Sequence, residues 1–398
     1  MSRFAAAAVV GLAIFGHPVS AQASDPLQEP GFQHFYNLEY DQALAAFQQK
    51  AAANPNDPSP QNHIAQTVLY QAMFRNGALE SDLISATNPF TNRPKLPVTD
   101  EQQRLFESSV NRAIQLSQAR IDRNPNDTGA LYAMGVAVGL RANWNYLVHK
   151  AWLDPLRDAT QARRFHSKAT EVDAGIYDAR LVQGVHDYLI GSLPMTIKML
   201  GFLTGFRGDR EEGIRTLQSV VQKGSTNRVD AAVLLSAILR REKRQSQAVP
   251  LLSDVISKFP RNYLFRFELA MLYADLGDRT RALSQVDEIE KLKSKATVGV
   301  RQLSASRLEY MHGQVHFLLR EYDAAISHLE RATTAAGAGS ELNARAQAWL
   351  RLGQALDMKG RRKEALSAYR QAMQSGPETS YAKEAKDYLS SPFKQRHA

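Results

Sequence analysis

The chain has 398 residues, 44% of them hydrophobic and 22% charged, with a formal net charge of +9 and no cysteine. Lack of cysteine excludes disulfides, thiol chemistry and a cysteine-linked lipid anchor, while the positive charge favours anionic partners such as lipid headgroups, acidic envelope polymers or acidic proteins. The length exceeds what one round core usually holds, and no segment sustains the alternating pattern of a half-buried strand.

Residues 1–23 read as a signal peptide. Arg3 supplies the positive start and Phe4–Phe15 a short apolar run. Val19-Ser20-Ala21 or Ala21-Gln22-Ala23 offers small residues at cleavage spacing. The run is too short for a membrane span of about 20 residues. The mature chain is therefore expected to be soluble and exported, and periplasmic if the source is a Gram-negative bacterium.

From 24 to 190 the pattern is that of degenerate helix pairs. Tyr40-x-x-Ala43-x-x-x-Phe47 is a second helix, stopped by Asn54-Pro55-Asn56-Asp57. Thr87–Asp100 carries three Xaa-Pro steps and reads as a loop, either a spacer or a contact loop. Asn124-Pro125-Asn126-Asp127 repeats the earlier stop, with Asp127 or Thr128 able to cap the next helix. An aromatic and basic cluster follows, comprising Trp144, Tyr146, His149, Lys150, Trp152 and Arg157. Trp144 and Trp152 are candidate partner contacts, since Trp is enriched at binding hot spots, although it is an ordinary core filler too.

Residues 191–208 form an apolar, glycine-rich insert that interrupts the rhythm. Leu193, Ile197, Phe202 and Phe206, flanked by Arg207 and Arg210, either fold back over a groove or present an apolar patch to a partner or an anionic lipid surface. Packing is the more economical choice, because an exposed patch of that size invites aggregation. Arg207-Gly208-Asp209 spells a cell-adhesion tripeptide, but Asp209 is well placed as a helix cap.

Between 209 and 377 the repeats are clear. Ala248 to Ala282 and Leu252 to Val286 are each separated by 34 residues. The basic run Arg240-Arg241-Glu242-Lys243-Arg244 falls at a turn between repeat helices, where cations suit a helix C-terminus. A further unit runs Gly313-x-x-His316, Tyr322, Ala325, Leu329, Ala332. The last has Trp349-x-x-Leu352-Gly353-x-x-Leu356, then Ala365-x-x-x-Tyr369-x-x-Ala372 and Pro377. Gly353 removes a side chain where the partner helix approaches, Tyr369 fills the space behind Ala365, and Pro377 stops the pair. Residues 378–398 add a polar capping helix over Glu378–Leu389, and a tail.

This spacing resembles the tetratricopeptide repeat, a helix–turn–helix unit that must stack on a neighbour to bury its apolar face. The expected fold is an all-α solenoid, a right-handed superhelix of roughly eight helix pairs plus a capping helix, in which each repeat contacts only its neighbours. Tyr188, Gly191, Ser192, Pro194, Leu200, Gly201-Phe202, Gly205-Phe206, Gly208-Asp209-Arg210, Gly213 and Leu217 further resemble the tetratricopeptide repeat protein 39 family, which includes fungal inclusion-body clearance proteins. That likeness, over about 163–252, implies a non-enzymatic repeat scaffold with an apolar insert before a Gly-Asp-Arg helix start. The signal peptide departs from those relatives, so their membrane location and cargoes are not carried over.

No G-x-S-x-G, G-x-x-x-x-G-K-[ST] or H-E-x-x-H motif occurs. His312 and His316 share a helix face but have no third ligand implied by spacing, and His166 and His186 lie on different helices. No cofactor, metal or nucleic acid is expected. The function expected is a non-catalytic scaffold binding a protein or peptide in the cell envelope, with Arg266, Arg301, Arg345 and Arg351 lining a groove suited to a carboxylate. The alternative is a peripheral membrane or lipid-associated protein that uses 193–206 as its apolar contact.

Overall fold

The computed structural model describes residues 25–79, 95–151, 153–192, 208–335 and 344–395. Both Asn-Pro-Asn-Asp stops end helices at the expected places. The chain folds as α1 (Pro30–Tyr36), α2 (Tyr40–Ala53), α3 (Ser59–Arg75), α4 (Asp100–Arg123), α5 (Thr128–Leu147) and α6 (Leu153–Val172). Then come α7 (Arg180–Gly191), α8 (Arg210–Lys223), α9 (Arg228–Arg241), α10 (Gln245–Lys258), α11 (Tyr263–Asp275) and α12 (Arg279–Ser294). The series closes with α13 (Ala305–Leu318), α14 (Tyr322–Thr334), α15 (Ala344–Met358), α16 (Arg362–Ser375) and α17 (Ser380–Ser390). Among the described residues there is no strand.

Cap chemistry explains the boundaries. Asp127 accepts from Ala130 N at 2.9 Å to start α5, and Asp209 accepts from Glu212 N at 2.8 Å to start α8. Thr99 and Gln102 form a reciprocal capping box at the head of α4. Lys243 adopts φ 58° in the turn between α9 and α10, where the basic run lies. Two of its three arginines are paired, Arg240 with Asp275 and Arg244 with Glu211.

Consecutive helices pack side by side, and first helices of successive pairs also touch, as α3 does α5 and α11 does α13. Among the described residues the result is a helical solenoid of eight pairs with α17 as a further helix against α16. A Cβ on Gly353 would lie 2.5 Å from the Tyr369 ring, and one on Gly313 2.6 Å from Leu329, so glycine is what lets these pairs close. At the C-terminal end α17 lays Tyr388 on Tyr369, ring centroids 5.4 Å apart.

One expectation is corrected: contacts are not confined to nearest neighbours. Residues 25–39 lie across the turns that precede α9, α11 and α13. Asp25 pairs with Arg228, Asn37 Oδ1 accepts from Arg261 N at 2.9 Å, and Asn262 Nδ2 donates to Tyr36 O at 2.7 Å. Glu39 binds Arg261 at 2.6 Å, Tyr36 packs on Phe259 with centroids 5.0 Å apart, and Gly299 sits against Asn37 and Leu38. The aromatic side chains of α1 and α2 therefore join the core of the later repeats.

Candidate functional site

The bend that brings α1 onto the later repeats leaves α3 and α5 facing α7 and α9 across a gap. The larger cavity there, about 470 Å³, is lined by first helices of successive pairs, with one side of α6. Its walls carry Tyr70 from α3, Tyr132 and the small residues Gly135 and Gly139 from α5, His166 from α6, and Asp230 from α9. A smaller, more apolar cavity of about 180 Å³ lies between the α1–α2 turn, α3, α9 and α11, lined by Phe35, Met73, Phe265 and Phe267 among others. Tyr70, Asp230 and Leu234 line both, so the two cavities adjoin at Asp230.

The polar groups are arranged tightly. Asp178 accepts from the backbone N–H groups of Ser225 and Thr226 at 2.8 and 3.0 Å, which fixes the turn into α9. Asn227 Nδ2 donates to the Tyr132 hydroxyl at 3.0 Å, linking that turn to α5. Asp230, in the first turn of α9, is partly open to the cavity yet deep in the fold. Burial pushes its carboxyl up to about 7, opposed by the neighbouring Tyr36 hydroxyl and reinforced by Asp178. The charge of Asp230 together with burial raises the Tyr70 hydroxyl, and burial then Asp178 raise that of Tyr132. Burial depresses His166 to about 4, and burial together with Lys50 does the same to His63. Both imidazoles are therefore neutral at pH 7. Asn62 donates from Nδ2 to Ala133 O at 2.8 Å, which leaves its buried Oδ1 without a partner, as is Nδ1 of His166.

The residues expected at a partner site are scattered. Trp144 is 1% exposed and stacks on Phe106 with centroids 4.0 Å apart, so its face is used inside the fold and is not presented to a partner. Arg266 is held by Pro260 O, Arg301 by Ala296 O at 3.1 Å, and Arg351 lies over the Phe317 ring. Arg345 is exposed in the first turn of α15. None of these four arginines lines either cavity. Arg210 is exposed and reaches Glu242 at 3.4 Å. Trp152, Leu193, Ile197, Phe202, Phe206 and Arg207 lie outside the described residues, and so does the signal segment.

Histidine placement is also informative. His312 and His316 each stack on His328, and the three take Glu290, Glu321 and Glu309 as separate carboxylate partners. His186 contacts Arg163 Nη1 at 2.8 Å, whereas His166 faces Gly135 and Tyr132. Among the described residues no group of three or more His, Cys, Asp or Glu is placed to hold a metal ion. Nor is any described helix long and apolar enough to cross a membrane.

An all-α solenoid of stacked helix pairs defines a repeat protein. Residues 310–378 match the tetratricopeptide repeat family model, from within α13 to just past α16, and the chain carries that repeat there. No curated protein matches the chain, and the finer likeness to the tetratricopeptide repeat protein 39 family receives no support. Among solved structures, one described as the APC/C hetero-tetramer Cut9-Hcn1 is 14% identical, over 90% of this chain and 54% of that one, with a TM-score of 0.49. The chain thus spans about half the length of that relative. Yeast Tom70 is 12% identical, over 93% of this chain and 89% of its own, with a TM-score of 0.40.

Proposed function

We propose that the chain is an exported, non-catalytic scaffold that holds a protein or peptide partner in the cell envelope. The observation that carries this reading is the pair of adjoining cavities on the first helices, roomy enough for side chains of a bound segment and framed by rigid elements. Stacked repeats build extended binding surfaces of this kind, and the repeat match supports a protein-interaction role. Export rests on the first 23 residues, whose charge, apolar run and small residues have the layout of a cleavable signal.

A photo-crosslinking amino acid at Asn143, an exposed residue of the larger cavity, tests the groove. The same amino acid at Gln222, exposed on α8, serves as the control. In an envelope extract a defined protein is captured from Asn143 and not from Gln222; equal capture from both, or none, overturns the groove. N-terminal sequencing of the protein recovered from its native host tests export. A chain beginning after Ala21 or Ala23 is expected, and an intact Met1 overturns it.

A further inference from the structure

The chemistry of the two cavities runs against that of the chain as a whole. The chain carries a net charge of +9, yet neither cavity has a lysine or arginine among its described lining residues. The ionisable acids there are Asp178, Asp230 and Glu268. Their surroundings differ. Asp178 is occupied by backbone N–H groups at the head of α9, and Glu268 lies 3.9 Å from Arg240. Asp230 neighbours the Tyr36 hydroxyl, but no ion pair to it occurs among the described residues, and it stands where the two cavities meet.

A second, independent observation points the same way. Asn62 is 3% exposed and lines the larger cavity, with its Nδ2 spent on Ala133 O and its Oδ1 unpartnered. A buried acceptor without a donor costs on the order of 1–3 kcal/mol, and this one lies in the wall of the larger cavity. The Asn62 oxygen thus adds an acceptor to this wall. Tyr70 and Tyr132 stand beside it, and aromatic faces attract cations through their quadrupole. The adjoining smaller cavity, with Phe35, Met73, Phe265 and Phe267, suits a bulky apolar side chain.

Resting on the groove reading above, we infer that the adjoining cavities recognise a basic side chain, lysine or arginine, placed next to a bulky apolar one in a segment of a protein partner. Asp230 is the counter-charge, Asn62 an additional acceptor, and the two tyrosines the walls. This preference is opposite in sign to the carboxylate recognition expected from arginines on the repeat face.

The test is an immobilised array of random hexapeptides probed at pH 8 with the full mature chain and with Asp230→Asn. Retained peptides are expected to be enriched in Lys or Arg adjacent to Phe, Tyr, Leu or Met. Asp230→Asn is expected to lower retention of those peptides by about thirtyfold or more, as loss of a desolvated charge partner does. Its thermal midpoint, measured alongside, should be no lower than that of the parent, which separates loss of recognition from loss of fold. Enrichment in acidic or neutral peptides, or undiminished retention by the folded Asp230→Asn chain, overturns the inference and leaves the scaffold reading to stand on crosslinking at Asn143. If no peptide is retained and Asn143 captures nothing, both fall.

Discussion

Asp230 shows how a residue suited to binding works against the fold. Its carboxyl ionises near 3.8 in an unfolded chain and at about 7 in the native one, chiefly because burial disfavours the charge. The native state therefore holds the proton more tightly, and stability falls as pH rises from about 4 to about 7. At roughly 1.4 kcal/mol per pH unit the full penalty has a ceiling of about 4 kcal/mol. Asp230→Asn is accordingly expected to raise the unfolding midpoint at pH 8 and to leave it unchanged near pH 4; a lower midpoint at pH 8 would show that the carboxylate is compensated. His166 behaves in the opposite sense. Its native pKa is depressed to about 4 by burial, so stability is present at neutral pH and lost as pH falls from about 6.5 to 4. His166→Leu, which replaces an imidazole whose Nδ1 has no partner, should flatten that acid limb by about 1–3 kcal/mol in urea titrations at pH 4.5 and 7.5. The burial of Asp230 was not legible in the sequence. An acid in the first turn of a helix, as in Arg228-Val229-Asp230, is ordinarily a favourable dipole partner on the surface, and only the bend of the solenoid buries it.

Helices, by contrast, were readable, because their signals are local. The stop at Asn124–Asp127 and the cap at Asp209 act within one turn of their own positions. Gly353, the space behind Ala365 and the ring of Tyr369 all belong to one pair whose helices are joined by a short turn. Sequence spacing can specify such contacts without knowledge of anything distant. Gly353→Ala should cost about 1–3 kcal/mol, since the new methyl meets the Tyr369 ring, which is fully buried and bonded to Asp357 at 2.8 Å. Denaturant unfolding of that variant, with an unchanged m-value, is the measurement; a neutral result would mean that the ring can retreat. What spacing could not assign was the Trp144 region. A tryptophan fits a hot spot or a core equally well by composition, and its stacking on Phe106 depends on how α4 meets α5. The surroundings of the arginines on later helices were hidden for a related reason: periodicity places them near a face but cannot show that Arg351 lies on Phe317 or that Arg266 turns back to Pro260.

Over the whole molecule the departure from simple solenoid behaviour is the seam made by residues 25–39. Repeat logic is nearest-neighbour logic, and a chain governed by it alone would lose its ends first and unfold piecemeal. Here the first pair is tied to the fifth through seventh pairs by contacts such as Tyr36 hydroxyl to Thr226 O and Asn262 to Tyr36 O, between residues 190 and 226 positions apart. No periodic signal encodes such a contact, which is why the sequence pointed to an open array. The seam also places Tyr36 at Asp230, so closure and the candidate site share a residue. Tyr36→Ala removes the ring packed on Phe259, and truncating a buried aromatic of this kind costs about 3–5 kcal/mol. If the seam couples the two halves, native-state hydrogen exchange of α1–α3 should rise in that variant well above that of α13–α16, whereas in the parent chain both exchange together. Uniform acceleration along the whole chain would mean that the repeats already act as one cooperative unit without it. No acceleration would mean that residues 25–39 merely rest on the inter-repeat turns. The first pattern alone would make the seam the device that shapes the groove.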